Sequence, residues 1–250
     1  MPRFLRFLLI FFIVWVWVFY NNFQIWPVGG LKNWSLFPTS KIKLAEAVIA
    51  SNDGLLVYSL TSSSTRFSPY NGSSTNTFTA STSLSVDTAT NNTGYVLRTS
   101  PTQQEAIVAF ASSSSIVVLC YNGTTWTKEW VFTSGTQPTN SRFFDVAYET
   151  ASGDAMVLYA TVSTSTNELA YRTKSGSTSC GSANWSAETA LDPVQTSGAV
   201  GWVKLAWDRL SSSNLITAIW ADYNQDLWSM VWSGTAWGNE PATALETNLE

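Results

Sequence analysis

The segment 143–176, FFDVAYETASGDAMVLYATVSTSTNELAYRTKSG, contains three strand-like runs in close succession. The runs FFDVAYET, AMVLYA and ELAYRTK are rich in Val, Tyr, Phe and Leu, and residues typical of turns lie between them. A fourth run, ANWSAETAL, follows at 183–191. The central run AMVLYA is almost entirely apolar, as expected for a strand covered on both faces. The segment therefore predicts a four-stranded antiparallel sheet.

The same pattern of four runs recurs along the chain, in copies at approximately 41–90, 91–140, 141–195 and 196–250. The run that corresponds to AMVLYA reads LLVYSL at 55–60, AIVAFA at 106–111 and LITAIWA at 215–221. Each third run ends in a short polar turn that contains a glycine, and these glycines are Gly72, Gly123, Gly176 and Gly234. No segment after residue 40 shows a convincing helical period.

Four-stranded repeats of about 50 residues are typical of β-propeller blades. Each blade exposes two apolar faces and has to stack on its neighbours to bury them. The sequence thus predicts an all-β, β-propeller-like array of about four four-stranded antiparallel blades over residues 41–250. A two-sheet sandwich of hairpins is the alternative, which the regular period disfavours.

A tryptophan follows the turn glycine in three copies, at Trp126, Trp185 and Trp237. This element, as in Asn122-Gly-Thr-Thr-Trp126, is similar to the Asp-box of sialidase-like propellers, Ser-x-Asp-x-Gly-x-Thr-Trp. It departs from that box because the aspartate position is occupied by other residues, namely Tyr121, Lys174 and Trp232. The chain therefore resembles the β-propeller repeats of secreted and surface proteins, which implies a fold and does not imply an activity.

The first 20 residues, MPRFLRFLLIFFIVWVWVFY, form a short apolar stretch behind Arg3 and Arg6. Its length and charge pattern predict a short hydrophobic helix that acts as a signal anchor or a signal peptide. A buried core strand is the alternative. Residues 21–40 contain two prolines and a Gly-Gly pair, and they predict a linker. Together these features predict an extracellular or cell-envelope protein that is membrane-anchored or secreted.

Composition disfavours several classes of function. The net charge of −4 disfavours a nucleic-acid partner, and the absence of histidine excludes Ser-His-Asp catalysis and histidine-containing zinc sites. Two cysteines are too few for an all-thiolate zinc site. Cys120 and Cys180 form either one disulfide or two free thiols, and the sequence leaves both open.

The aromatic content gives the strongest indication of a binding function. The chain has 13 Trp and 9 Tyr, together with 34 Ser and 30 Thr. Sugar rings stack on exposed aromatic faces while hydroxyl side chains bind sugar hydroxyls. We therefore expect a non-catalytic, surface-displayed adhesion or binding module for a glycan or protein ligand. The candidate ligand-binding residues are Trp126, Trp185, Trp237, Trp228 and Tyr223.

Two other functions compete with this hypothesis. A secreted glycosidase or sialidase-like hydrolase needs paired carboxylates, and its candidates are Asp145, Glu149, Asp208 and Asp222. A sialidase-like site also needs converging arginines, but Arg66, Arg98, Arg142, Arg172 and Arg209 occupy non-equivalent repeat positions and are interpreted as surface residues. A structural subunit of an envelope or filament assembly is the other alternative, packing through apolar N-termini.

No cofactor is expected apart from a calcium ion. Asp222, Asn224 and Asp226 place oxygen ligands at alternate positions, as calcium loops do. The run lacks the glycine and the distal glutamate of an EF-hand, and a plain Asx turn explains it equally well.

Overall fold

The structure is a computed structural model that describes residues 43–45, 54–61, 64–72, 74–86, 92–112, 115–133, 142–161, 167–191 and 199–247. The predicted N-terminal helix and the predicted linker at 21–40 lie outside these residues. Within the described ranges, none of the helical segments has the length and apolar character needed to cross a bilayer.

The described residues form four antiparallel sheets, here called blades 1 to 4 in chain order. Blade 1 consists of β1 (Lys43–Ala45), β2 (Gly54–Thr61), β3 (Ser64–Asn71), β4 (Thr77–Phe78) and β5 (Thr82–Ser83). Blade 2 consists of β6 (Asn92–Thr99), β7 (Ala106–Ser112), β8 (Ser115–Tyr121) and β9 (Trp126–Thr133).

The second half of the chain repeats this plan. Blade 3 consists of β10 (Phe144–Tyr148), β11 (Ala155–Ala160), β12 (Leu169–Lys174) and β13 (Thr189–Leu191), with a 3-10 turn at Ser182–Asn184. Blade 4 consists of β14 (Val200–Trp207), β15 (Ile216–Asp222), β16 (Leu227–Trp232) and β17 (Trp237–Gly238).

Within blades 2 to 4 the strands pair in sequence order as a meander, and the first four strands of blade 1 do the same. The tight register across β7 and β8 runs from the Ala106–Tyr121 pair to the Ser112–Ser115 pair without a break. Blade 1 differs from the prediction in its last strand, because β4 and β5 are two short segments that both pair with β3. The predicted all-β array of four-stranded blades is confirmed, and the described residues contain no α-helix.

The blades stack in order, mainly through their first strands. β10 contacts β6 of blade 2 and β14 of blade 4, and β6 in turn contacts β1 and β2 of blade 1. The first strands of neighbouring blades therefore lie side by side along the inner edge of the array.

The core follows directly from the apolar second strands. All seven residues of β7 are buried. Because side chains alternate across a strand, Ile107 and Ala109 enter the core shared by blades 2, 3 and 4, while Val108 and Phe110 enter the core shared with blade 1. One strand thus serves two blade interfaces, and this is why its sequence lacks polar alternation.

A disulfide joins Cys120 of β8 to Cys180 in the loop after β12, with a Cα–Cα distance of 5.6 Å. Of the two states that the sequence left open, one disulfide or two free thiols, the structure contains the disulfide. Because it links blade 2 to blade 3 across 60 residues of chain, it restricts the separation of these two sheets in the unfolded chain.

Removing this bond should lower stability. We expect the double variant Cys120→Ala/Cys180→Ala to lose about 2–4 kcal/mol of unfolding free energy, mainly through the greater freedom of its unfolded chain. Urea denaturation followed by tryptophan fluorescence measures this difference. A reducing agent should bring the native chain close to the variant and leave the variant unchanged; an equal response of both proteins would contradict the prediction.

Candidate functional site

An aromatic trio lies at the interface between blades 1 and 2. Phe67 of β3 contacts Trp126 of β9 edge-on, with ring centroids 5.7 Å apart, and Tyr121 lies 5.0 Å from Trp126. Tyr121 is nearly buried and donates its hydroxyl to the carbonyl of Gly123, whereas Trp126 and Phe67 keep part of their surface exposed. Burial raises the pKa of Tyr121.

The interface between blades 3 and 4 contains a matching trio. Tyr171 of β12 lies 5.6 Å from Trp232 and 6.0 Å from Trp237, and the two indoles are 5.6 Å apart. Trp232 is buried, and its indole N–H donates to Glu149 at 2.6 Å. Trp237 and Tyr171 are partly exposed. Each trio thus combines a third-strand ring of one blade with two rings of the next.

The turn before Trp126 sets the position of this indole. The Asn122 side-chain oxygen accepts hydrogen bonds from the backbone N–H groups of Thr124 and Thr125, at 3.0 and 2.8 Å, and also from the Thr124 hydroxyl. Gly123 has a φ of +93°, which favours glycine at this position. In blade 4, Gly234 has a φ of +97° and lies against Asn214, so the same turn geometry precedes Trp237.

The interface between blades 2 and 3 is built differently. Lys174 occupies the position that Tyr121 and Trp232 hold in the other blades, and its ammonium lies 2.8 Å from Glu105. It also donates to the carbonyl of Thr178 at 2.7 Å. Tyr148 donates to the second oxygen of Glu105 at 3.0 Å, and burial together with this carboxylate raises the pKa of Tyr148.

Trp185 is also buried and hydrogen-bonded within the protein at this interface. It is buried, and its indole N–H donates to Glu129 at 2.7 Å. The same carboxylate oxygen accepts the backbone N–H of Gly181 at 3.0 Å. Burial raises the pKa of Glu129 above its usual value of 4.5, against the lowering effect of these two hydrogen bonds. Trp130 packs edge-on against Trp185 and carries the guanidinium of Arg172 over its face.

A second polar centre lies at the inner edge of the array, around the fully buried carboxylate of Asp145. One oxygen lies 3.3 Å from Arg98 of β6 and 3.2 Å from Arg142, which precedes β10. The other oxygen lies 2.9 Å from Lys204 of β14. Three consecutive blades therefore contribute to one ionic cluster, here called the axial cluster: Asp145, Arg98, Arg142 and Lys204.

The structure gives the other candidate acids structural roles. Glu149 accepts hydrogen bonds from Trp232 and Ser152, and burial raises its pKa. Asp208 accepts the backbone N–H of Leu210 at 3.1 Å. Asp222 accepts the backbone N–H groups of Asn224 and Asp226, at 2.9 and 3.1 Å. This is the Asx turn weighed against a calcium site.

The predicted ligand-binding residues separate by exposure. Trp126 and Trp237 are partly exposed at the two trios, and Tyr223 is 55% exposed on the turn between β15 and β16. Trp185 and Trp228 are buried, so their rings offer no accessible face. The accessible aromatic surface of the predicted set therefore belongs to Trp126, Trp237 and Tyr223.

The convergence of Arg98 and Arg142 is not predictable from the repeats, because the two residues occupy non-equivalent repeat positions. Another signal was present in the first strands. β6, β10 and β14 each contain a single charged residue, Arg98, Asp145 and Lys204, among otherwise uncharged residues. An isolated charge in a strand at the inner edge of stacked sheets requires a partner from the neighbouring sheet.

Comparison with solved structures identifies proteins of the same fold. AofleA from Arthrobotrys oligospora superposes with a TM-score of 0.53 at 11% identity, over 81% of this chain and 57% of that protein. The SapL1 lectin in complex with alpha methyl fucoside superposes with a TM-score of 0.50 at 12% identity, over 84% of this chain and 64% of the lectin. The chain thus spans less than two thirds of either protein.

No protein-family model matches the chain, and no curated protein matches it. The structural similarity and the four stacked meander sheets agree with the sequence repeats. The chain therefore has the β-propeller fold.

Loss of the Asp145 carboxylate should strongly destabilise the protein. In Asp145→Asn, three cations lose their counter-charge, and we expect the free energy of unfolding to fall by about 3–5 kcal/mol. Thermal and urea unfolding measure this. The matched change Asp208→Asn, at a partly exposed turn residue, should have an effect of less than about 1 kcal/mol; equal losses in the two variants would contradict the assigned role.

The stability of Glu129→Gln should respond to pH differently from that of the native chain. Because the folded-state pKa of Glu129 is raised, its contribution is largest at acid pH and is lost as pH rises through that pKa. The variant lacks this titration, so its stability relative to the native chain should increase between about pH 4 and about pH 8. Urea unfolding at several pH values measures the difference. Parallel profiles for Glu129→Gln and the native chain would contradict the prediction.

Proposed function

We propose that the chain is a non-catalytic glycan-binding module that binds saccharides at the two aromatic trios. The observation that supports this most directly is the partly exposed indole at each trio, Trp126 and Trp237. The Nε1–H group of each indole is buried, so the accessible part of the side chain is apolar ring surface. A sugar ring can stack on such a surface.

The contrast among the three interfaces supports the same proposal. Between blades 2 and 3, the Trp185 indole donates to Glu129 and is buried, and Lys174 fills the position of the second aromatic ring with a buried ion pair. That interface is closed by contacts between the two blades and by a disulfide. The other two interfaces keep aromatic surface accessible, so we assign binding to them and not to the middle interface.

Hydroxyl groups next to each trio add to the fit. Thr124 and Thr125 are exposed on the turn before Trp126, and Ser233 and Thr235 are exposed on the turn before Trp237. Saccharide recognition commonly combines an apolar ring contact with a few hydrogen-bonding groups that fix orientation. The SapL1 structure contains alpha methyl fucoside, which makes this sugar a suitable first probe for the present chain.

The proposal favours binding over hydrolysis because the candidate acids are engaged elsewhere. Asp145 is buried among three cations, and Glu149 is bonded to Trp232 and Ser152. A glycosidase requires two carboxylates that face a common substrate. Display at the cell surface, through the apolar segment behind Arg3 and Arg6, belongs to the same proposal.

Truncation of the trio indoles should weaken saccharide binding. We expect the native chain to bind a subset of neutral saccharides on a glycan array, with alpha methyl fucoside as the first titrated ligand. Each of Trp126→Ala and Trp237→Ala should remove one of two sites, and the double variant should bind at least about tenfold more weakly. Isothermal titration measures affinity and site number.

The control is Tyr223→Ala, which removes an exposed aromatic side chain outside the trios. It should retain both sites, and near-UV circular dichroism should show that all variants are folded. Full binding by the double variant, or loss of binding in Tyr223→Ala alone, would contradict the assignment. Turnover of model glycosides by the native chain would contradict the non-catalytic role.

A further inference from the structure

The axial cluster contains more positive than negative charge. Arg98, Arg142 and Lys204 supply three cationic groups, and Asp145 supplies one carboxylate. No other acidic side chain forms an ion pair with these cations in the described part of the chain. The cluster therefore has a surplus of two positive charges in a chain whose net charge is −4.

The Asp145 carboxylate has no hydrogen-bond acceptor site left for the remaining donors of these cations. Its first oxygen accepts hydrogen bonds from Arg98, Arg142 and the backbone N–H of Val146. Its second oxygen contacts Lys204 and accepts the backbone N–H of Leu205. A carboxylate offers about four lone-pair sites, so these five donors saturate it.

The cations themselves still have unused donors. A guanidinium has five N–H groups and an ammonium has three. The Nε–H groups of Arg98 and Arg142 are buried and have no acceptor in the described residues. Arg98 also donates Nη1–H to the carbonyl of Leu97 at 2.9 Å. Both guanidinium groups contact the same oxygen of Asp145, which places their remaining donors close to each other.

The cluster is also reachable from solvent. The carboxylate is fully buried, but the side chains of Arg98, Arg142 and Lys204 are 20%, 26% and 32% exposed. The guanidinium of Arg98 lies over the Trp207 ring, 5.4 Å from its centroid, so an apolar wall flanks the charges. Burial lowers the pKa of both Arg98 and Lys204, and the neighbouring guanidinium groups add to this effect. Charge in such a partly dry setting attracts anions more strongly than an exposed lysine does.

We propose that Arg98, Arg142 and Lys204 form an oxyanion-binding site at the inner edge of the propeller, which takes a sulfate, phosphate or carboxylate group. Asp145 acts in it as a positioning residue that holds the three cations together. Two guanidinium groups supply planar pairs of donors and Lys204 supplies a compact charge, a combination that suits tetrahedral and planar oxyanions. The site is separate from the aromatic trios and does not depend on saccharide binding there.

The test titrates the full chain with sodium sulfate, sodium glucuronate and neutral glucose, with sodium chloride added to keep ionic strength constant. Isothermal titration and thermal shift report binding. We expect saturable binding of sulfate or glucuronate and no binding of glucose at this site. The variants Arg142→Gln and Lys204→Gln should bind the anion about tenfold more weakly, because each removes one charge-assisted contact. The control Arg209→Gln makes the same charge change at an exposed residue and should bind normally.

The two anions distinguish an inorganic oxyanion from an acidic sugar as the ligand. Binding of sulfate alone supports a site for small inorganic oxyanions, and binding of glucuronate supports a site for an acidic sugar. Absence of saturable binding by both anions, or equal affinity in Arg142→Gln and Arg209→Gln, overturns the proposal.

If both cluster variants fail to fold, acetylation of Lys204 in the native chain replaces them. Sulfate should slow this acetylation and chloride should not, and equal rates overturn the proposal. Trp126→Ala/Trp237→Ala should keep the anion site, so failure of saccharide binding and failure of anion binding are distinguishable.

Discussion

A sheet that is apolar on both faces has to be covered on both sides, and this constraint organises the structure. β7 shows it most clearly, since all its residues are buried and alternate ones enter different cores. Burial of each large apolar side chain stabilises the fold by about 1.5–3 kcal/mol. A single isolated blade would leave the apolar side chains of its faces exposed to water and would lose this stabilisation. The blades therefore depend on one another for stability, as in other repeat architectures.

The polar contacts are arranged along the same interfaces but differ from one to the next. Asp145 joins three blades at the inner edge, Glu105 and Glu129 join blades 2 and 3, and Glu149 joins blades 3 and 4. Removing a carboxylate from water costs several kcal/mol unless donors replace the lost hydration. Each of these acids contacts a cation or an indole N–H group from a neighbouring blade. The polar contacts thus contribute to the specificity with which neighbouring blades pair, while apolar burial supplies most of the stability.

The sequence predicted the four sheets well because their information is local. Strand periodicity, turn residues and the recurring glycines all lie within about 50 residues of one another. The axial cluster was not predicted, because Arg98 and Lys204 are 106 positions apart in the sequence and meet only after three blades have stacked. The departure from the Asp-box marks where the blade interfaces differ. Its aspartate position holds Tyr121, Lys174 and Trp232, which are the residues that make the interfaces unequal.

The aromatic trios recur at alternate interfaces, with the closed interface between them. Under the proposed function this places two sites of similar build in one chain, on either side of the closed interface. A ligand with repeated sugars that spans both sites would make its second contact at an effective concentration set by its own length and stiffness. Avidity of this kind can exceed either single affinity by about a hundredfold or more. Weak individual contacts would then suffice for firm attachment to a branched or polymeric glycan, while free monosaccharides would exchange quickly.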